Sequence, residues 1–263
     1  MLKKIKINDK ELEIIYNWKF DESKEANVYL AKYKNKYKVI KIFKEQSVVD
    51  NKIKKILLLK ERLKNQDNVV TADAFIADNK NVIGYMMPYI KGTNYYSEGS
   101  MNKKQKILYL KELAQSIKRL HNLNIVLMDF YSNVITDKDG KINLIDHDNF
   151  AIDELNVDQK NTFLYEYERH VKTFDKNFDY YMLNIYTICL LKNYVTHYIY
   201  SIFKNNPFDF NFKDNEINEI FNNTMNLGKK YNEELIIDKI NSTKDLKKIK
   251  TRLLKWTLNS SQK

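Results

Sequence analysis

The chain is short of several features that would point to particular classes of protein. Its single cysteine, Cys189, excludes an internal disulfide framework, and no Cys/His cluster has the spacing of a zinc site. No apolar run approaches the roughly 20 residues that a membrane-spanning helix needs. Charged side chains occupy the first positions, where a secretory signal would carry its apolar segment. These absences favour a cytoplasmic protein with no membrane partner, and leave secretion without a cleaved signal as the alternative.

Arginine is scarce as well. Only four of the 45 basic residues are arginines, although the net charge is +11. Proteins that read nucleic acid specifically rely on Arg, because its planar fork pairs with guanine and with phosphate. The lysines are scattered, and no basic-aromatic module accompanies them. We therefore expect nucleic acid not to be the partner, while the charge still favours acidic partners or nucleotides in general.

The pattern of apolar residues predicts a mixed protein with a sizeable core. The 263 residues are 43% hydrophobic, which is ordinary for a globular chain. Alternation predicts a hairpin over residues 3–15 and a second hairpin from strands 28–33 and 37–43. Helical periodicity predicts helices at 50–64, 103–121, 216–227 and 244–258.

Carboxylates follow two short apolar runs between Leu120 and Asp153. Residues 125–128 lead to Asp129, and Asn133 comes four positions later. A turn at 137–140 and an apolar run at 142–145 then lead to Asp146, with Asp148 two positions on. Each of these residues alone is more often a turn or cap residue than a functional one. Together, converging through one hairpin, they suit the orientation of a hydroxyl and the binding of a divalent cation.

The order and spacing of Asp129, Asn133 and Asp146 resemble the catalytic and metal-binding loops of the protein-kinase-like fold. The resemblance implies an α+β, bilobal protein-kinase-like fold. Its β-rich N-lobe, with one main helix, would cover residues 1–87, the hinge 88–92, and its mostly helical C-lobe 93–263. It also implies ATP and Mg²⁺ as cofactors, and transfer of phosphate to a hydroxyl. Asp129 would orient that hydroxyl, while Asn133, Asp146 and Asp148 would hold the metal.

The N-terminal part supplies candidates for the remaining roles. Lys41, in an apolar stretch at 39–43, matches the phosphate-contacting Lys of the VAIK motif, and Glu61 on helix 50–64 would hold it. Backbone groups near Met87 and Tyr89 would meet adenine. From periodicity alone, Lys41 could equally lie on an edge strand facing solvent, and Glu61 could face solvent among basic neighbours. Further along, residues 178–186 resemble the family's buried large-lobe helix, which Asp179 would cap while also binding backbone N–H groups of the catalytic loop.

Departures from the family pattern leave three functions open. Residues 20–27, where a glycine-rich phosphate loop should lie, contain no glycine. Leu127-Met128 replaces the His-Arg before the catalytic Asp, and Asp146-His147-Asp148 replaces DFG. The leading hypothesis is a divergent Ser/Thr protein kinase, because residues 165–168 resemble part of a peptide-presenting platform. The alternatives are a small-molecule kinase of the aminoglycoside or choline kinase type, and a nucleotide-binding pseudokinase acting through protein contacts.

Overall fold

Eleven strands and four α-helices form within the residues that the structure describes. The computed structural model describes residues 2–18, 25–94, 101–129, 133–152, 176–193, 212–225 and 233–250. The chain divides into two compact units. The first comprises Met1–Ser97 and Phe130–Asn156, and the second comprises Glu98–Asp129 and Val157–Lys263.

The strands are short and concentrate in the first unit. In chain order they are β1 Lys3–Lys6, β2 Leu12–Trp18, β3 Ala26–Tyr33, β4 Lys36–Phe43, β5 Ala74–Asp78, β6 Asn81–Pro88, β7 Gly92–Asn94, β8 Ile125–Val126, β9 Val134–Asp137, β10 Ile142–Leu144 and β11 Ala151–Ile152. The α-helices are α1 Gln46–Arg62, α2 Lys103–Asn122, α3 Asn177–Lys192 and α4 Asn215–Met225. Short 3₁₀ helices cover His147–Asn149, Ile236–Lys239 and Thr243–Lys247. The protein is therefore of the α+β class, as predicted.

A six-stranded sheet in the order β1-β5-β6-β4-β3-β2 is the frame of the first unit. The predicted hairpin of β3 and β4 is confirmed, with antiparallel pairing from Ala26 opposite Phe43 to Tyr33 opposite Lys36. Its turn contains Lys34 and Asn35, which both have positive φ, as hairpin turns with the favoured twist require. Strand β4 is central, between β3 and β6.

The predicted hairpin over residues 3–15 is wrong. A turn does form there, since the Asp9 N–H donates to the Lys6 carbonyl. However, β1 pairs in parallel with β5 at one edge of the sheet, whereas β2 pairs with β3 at the other. Ile5 is 2% exposed and packs in an apolar cluster with Ile76, so burial of the strand's apolar face, rather than the local turn, selects its partner.

Helix α1 contacts strands β4 and β6 of the sheet. It begins at residue 46, four residues earlier than the periodicity predicted. An apolar cluster contains side chains from the sheet together with Ile56 of the helix. Val39 and Phe43 belong to this cluster, whereas Ile40 belongs to a separate one. Because side chains alternate along a strand, Lys41 shares the face of Val39 and Phe43.

A second, three-stranded sheet in the order β10-β9-β7 holds the predicted polar hairpin. Thr136 lies opposite Ile142, and the antiparallel pairing confirms this hairpin. Its turn is stabilised by Asp137, whose carboxylate accepts hydrogen bonds from the backbone N–H groups of Asp139 and Lys141 at 3.0 Å each. Ile145 N–H donates to the Asn133 carbonyl at 2.9 Å, which fixes the chain just before Asp146.

Helices α2, α3 and α4 belong to the second unit. A capping box begins α2: the Asn102 side chain accepts from the N–H groups of Lys104 and Gln105, and the Gln105 side chain accepts from the Asn102 N–H. Most of α3 is buried, as predicted for a core helix. The stretch predicted as a helix at 244–258 instead has a 3₁₀ helix at its start, and residues beyond 250 lie outside the described part.

The division into units differs from the predicted boundary at residues 88–92. Residues 130–156, which were assigned to the C-lobe, group with the N-terminal residues because their hairpin pairs with β7. The glycine-free stretch is described only from residue 25, and the platform at 165–168 lies outside the described residues. In the parts of the chain that are described, no helix has the length and apolar character needed to cross a membrane.

Candidate functional site

Lys41 is buried on the central strand β4. Its backbone is packed closely against β6, because a Cβ added to Gly84 would lie 2.0 Å from the Lys41 carbonyl oxygen. The Lys41 side chain is 8% exposed, which excludes the alternative of an edge lysine facing solvent. A buried ammonium is costly unless it is paired, so its partners define the site.

Two carboxylates from the 146–148 segment surround the Lys41 ammonium. Nζ of Lys41 donates to Oδ1 of Asp146 at 2.5 Å and to both carboxylate oxygens of Asp148 at 3.0 Å. Burial by itself would lower the pKa of Lys41, but Asp146 and Asp148 outweigh it and raise that pKa above its ordinary 10.5. The lysine is therefore cationic at neutral pH.

Asp148 is fully buried and has three partners besides the backbone. It binds Lys41, accepts a hydrogen bond from the Tyr85 hydroxyl at 2.6 Å, and lies 3.4 Å from Nζ of Lys52. Burial would raise the pKa of Asp148, but the cations Lys41 and Lys52 outweigh it and lower that pKa well below 3.8. Burial and the neighbouring Asp148 carboxylate together raise the pKa of Tyr85 well above 10, so its phenol stays a donor.

Asp146 is in a more open position than Asp148. Its side chain is 24% exposed, and its backbone has the left-handed conformation at φ 59° and ψ 38°. One carboxylate oxygen binds Lys41, and the other accepts from the Asn149 amide. Burial, with the negative charge of Asp148, raises the pKa of Asp146 against the opposing effect of Lys41. Asp146 is thus the carboxylate on which a cation from solvent could bind.

The predicted pair of Lys41 and Glu61 is wrong. The Glu61 side chain is 73% exposed, and its ion-pair partner is Lys64 at 3.9 Å. The helix instead turns Lys52 inward, with Nζ 2.9 Å from Oδ1 of Asn149 and 3.4 Å from Oε2 of Glu25. Asp148 therefore takes the position beside Lys41 that was assigned to Glu61.

Lys52 and Tyr85 are residues of this cluster that reasoning from the sequence missed. A signal for Lys52 was available, since it precedes Ile56 and Leu59 by four and seven positions, the spacing of one helix face. That face is buried: Lys52, Ile56 and Leu59 are each 0% exposed. Tyr85 lies in an apolar strand and carried no comparable signal.

The predicted magnesium ligands Asn133, Asp146 and Asp148 differ in how accessible they are to a metal ion. Asp148 is enclosed by Lys41, Lys52 and Tyr85, so it acts as a counter-ion and does not fit a metal ligand. Asp146 keeps partial exposure, and Asn133 is half-buried just before β9. Mg²⁺ is usually held by one or two protein oxygens together with phosphates and waters, a donor set that Asp146 and Asn133 can supply. Among the described residues, no group of three or more His, Cys, Asp or Glu side chains is placed to hold a metal by itself.

Asp129 follows a loop that is tied to helix α3 of the second unit. The buried Asp179 carboxylate accepts hydrogen bonds from the N–H groups of Leu127 at 2.8 Å and Met128 at 3.0 Å. Nε2 of His121, in the last turn of α2, lies 2.9 Å from the same carboxylate. The predicted tie from Asp179 to this loop is confirmed. Its predicted role as the N-cap is wrong, because α3 begins at Asn177, after Lys176 as N-cap.

The predicted adenine-contacting residues lie at the end of β6. Met87 is 7% exposed and packs in the apolar cluster of Val39 and Phe43. Tyr89 is 37% exposed and makes an edge-to-face contact with the Tyr37 ring at 6.3 Å between centroids. Met87 therefore shares the sheet face of Lys41, whereas Tyr89 is at the surface.

The geometry of the first unit thus assembles a buried lysine, two carboxylates of different exposure, and a second lysine from α1. Comparison with protein-family models finds none that matches the chain, and comparison with curated proteins finds no match either.

Proposed function

We propose that this protein is an ATP- and Mg²⁺-dependent phosphotransferase of the protein-kinase-like fold, and that its acceptor is a Ser/Thr hydroxyl of a protein. The observation that carries the proposal is the ammonium of Lys41, buried on the central strand and 2.5 Å from the partly exposed Asp146. The strand order supports it too: antiparallel strands β2 to β4, helix α1, then the antiparallel pair β5 and β6 match the small lobe that the resemblance implies.

Lys41 and Asp146 have complementary roles in this proposal. Lys41 binds the α- and β-phosphates of ATP, and Asp148 with Lys52 keeps the ammonium in place. Asp146 and Asn133 hold Mg²⁺, which when bound neutralises the charge on the phosphates. Without nucleotide, Asp146 pairs with Lys41; with nucleotide, the phosphates replace Asp146 as the partner of that ammonium.

Asp129 acts on the hydroxyl group that accepts the phosphate. Its carboxylate accepts a hydrogen bond from the acceptor hydroxyl and aims the oxygen at the γ-phosphorus. A bond forms between that oxygen and phosphorus, the bond to the bridging β,γ-oxygen breaks, ADP leaves, and the hydroxyl proton passes to the carboxylate. The hydrogen bonds from Leu127 and Met128 to Asp179 fix the backbone just before Asp129, which supports a positioning role.

A small-molecule acceptor is the second candidate function. Two substitutions favour it: His147 stands where protein kinases have the Phe of DFG, and Met128 stands where they have the Arg that binds an activation-loop phosphate. A pseudokinase, the third possibility, requires nucleotide binding without transfer.

Calorimetry with ATP and Mg²⁺ tests the nucleotide site. We expect Mg²⁺-dependent binding that Asp146→Asn weakens sharply, because the carboxylate charge holds the metal. Asp139→Asn is the matched control, since Asp139 is an exposed turn residue, and it should bind like the natural protein. Equal binding by both variants would refute the assignment.

Incubation with radiolabelled ATP, alone and with a cell lysate, tests the transfer. Labelled protein bands support the leading proposal, labelled small molecules support the second candidate, and neither, with ATP binding intact, supports the pseudokinase. Asp129→Asn should lower turnover by at least about 10²-fold, as loss of a positioned acid–base group does, while ATP affinity stays the same. A folded Asp129→Asn protein with full activity would refute its catalytic role.

A further inference from the structure

A concave surface lined by lysines lies in the second unit, outside the residues of the candidate functional site. It encloses about 510 Å³. Four separate segments build it: the start of α2, the end of α3, the residue Lys213 before α4, and the stretch 243–250. Six of its ten lining residues are lysines: Lys103, Lys192, Lys213, Lys244, Lys247 and Lys250.

The abundance of lysine in the chain does not explain this clustering. Lys and Arg together make up 45 of 263 residues, far below six in ten. None of the residues lining the concavity is acidic. Within the described part of the chain, the side chains of Lys103, Lys244 and Lys247 make no ion pair. The concavity therefore concentrates positive charge that its own lining does not neutralise.

The lysines are brought together by the fold and do not belong to one flexible tail. The Lys213 N–H donates to the Lys250 carbonyl at 2.9 Å, which joins two of the segments. Leu191 and Ile249, 5% and 2% exposed, form part of the floor. Like charges held together on an ordered surface repel each other, and such local conflicts in natural proteins concentrate at functional sites.

Lys192 lies partly buried in this concavity. Burial lowers its pKa to about 8, and its ammonium lies 5.6 Å from the centre of the Phe212 ring. Lys192 is thus a partly desolvated cation inside the concavity. An anion beside it would offset the hydration that the ammonium has lost.

We propose that this lysine concavity binds a compact anion bearing several phosphate groups. Lysine supplies compact point charges suited to phosphate, whereas no arginine is present for planar, bidentate recognition. The volume is in the range of small-molecule sites. No aromatic residue lines it, so it offers no platform on which the bases of single-stranded nucleic acid could stack. This site is separate from the proposed ATP site and does not depend on it.

Calorimetric titration with inorganic tripolyphosphate, without Mg²⁺ and at about 0.15 M salt, tests the proposal. The natural protein should bind it, and the triple variant K244Q/K247Q/K250Q should bind at least about tenfold more weakly, because three phosphate-facing charges are lost. The matched control K4Q/K6Q/K10Q removes the same charge from exposed positions of the first unit and should keep binding within about twofold. Lys41→Met, with its folded state verified by circular dichroism, should also keep it, which separates this site from the proposed ATP site.

Several results would overturn the proposal. The natural protein could fail to bind tripolyphosphate, or the two triple variants could lose equal amounts of affinity for it. Loss of that affinity in Lys41→Met alone would equally overturn the proposal. Displacement of tripolyphosphate by poly-glutamate or single-stranded RNA at lower concentrations would assign the surface to a macromolecule instead. If K244Q/K247Q/K250Q does not fold, as judged by its circular dichroism, the double variant K103Q/K247Q replaces it, with the same weakening expected.

Discussion

At the scale of single residues, Asp148 is a counter-ion that joins three side chains of the candidate site, and not the metal ligand that the sequence predicted. Its carboxylate contacts Lys41, Lys52 and the Tyr85 hydroxyl, and it is 0% exposed. Buried ion pairs contribute little net stability relative to apolar packing, but removing one partner leaves the other charge uncompensated. Asp148 is therefore a residue whose charge the fold requires.

We expect Asp148→Asn to lower the free energy of unfolding by roughly 3–5 kcal/mol, the range for breaking a buried pair. Asn keeps the shape and can still accept from Tyr85, so the loss measures the charge. Urea denaturation followed by circular dichroism gives the value. Asp139→Asn, with a side chain 73% exposed, serves as the control and should change stability by less than about 0.5 kcal/mol. Equal effects of the two substitutions would contradict the role given to Asp148.

His147 makes the stability of the protein depend on pH. Burial lowers the pKa of His147 to about 4 from 6.5, so the unfolded chain takes up this proton at a higher pH than the folded protein does. The free energy of unfolding should therefore fall as the pH drops from 6.5 to 4, by up to ~3 kcal/mol. Above pH 6.5 the imidazole is neutral in both the folded and the unfolded state, so His147 does not change how the free energy of unfolding depends on pH.

The contribution of His147 can be isolated with His147→Leu, measured by urea denaturation at several pH values. The raised pKa of Asp146 acts in the opposite direction, but it is present in both proteins. We expect the stability difference between the natural protein and the variant to shrink or change sign below pH 6.5. A difference that stays constant from pH 7 to 4 would show that His147 is not held neutral.

At the scale of elements, helix α1 is joined to the 147–149 segment through Lys52. The Lys52 ammonium is 2.9 Å from Oδ1 of Asn149 and 3.3 Å from the Asp148 carbonyl oxygen. The Asp148 carboxylate also contacts both Lys52 of this helix and Lys41 of β4, so the positions of the helix and of Lys41 are coupled. A shift of α1 would change the environment of the proposed phosphate-binding lysine.

We expect Lys52→Met to increase hydrogen exchange in α1 and in residues 147–149, because the apolar side chain fills the space but cannot donate. Loss of a buried charged hydrogen-bonding group typically costs about 1–3 kcal/mol, or roughly a 5- to 150-fold change in the opening equilibrium. Hydrogen exchange with mass spectrometry measures it. The control is Lys54→Met, two residues away on the exposed side of the helix, which should leave hydrogen exchange unchanged. If both variants exchange alike, Lys52 does not hold α1 to residues 147–149.

The sequence predicted individual strands and helices better than it predicted which side chains and strands contact each other. The β3–β4 hairpin and helix α2 follow from alternation, turn residues and an apolar stripe, all of which are local. Glu61 was chosen for its charge, although its helical phase places it on the exposed face. Lys52 has the right phase and the opposite charge, which is why it was missed. The pairing of β1 with β5 depends on burial of Ile5 against a distant strand, and no local signal encodes that.

At the scale of the whole molecule, the first unit is discontinuous in sequence. Its sheet and α1 come from Met1–Ser97, whereas Asp146 and Asp148 come from Phe130–Asn156. Lys41 on the sheet and Lys52 on α1 thus have counter-ions from a segment that follows α2 in the sequence. Separation of the two sequence segments would leave Lys41 and Lys52, which are 7% and 0% exposed, without those carboxylates.

We therefore expect the isolated fragment 1–97 to lack a cooperative urea transition, because Lys41 would lose both of its carboxylate partners and, of the carboxylates in the described residues, Lys52 would keep only Glu25. A buried cation left without its partner costs several kcal/mol, comparable to the whole stability of a small domain. The double variant K41M/K52M of the same fragment is the matched control. Apolar side chains of similar length remove the charge penalty while keeping the packing, so this variant should regain measurable cooperativity in urea unfolding followed by circular dichroism. A fragment 1–97 that unfolds cooperatively with its lysines intact would show that Asp146 and Asp148 are not needed to hold the sheet and helix α1 together.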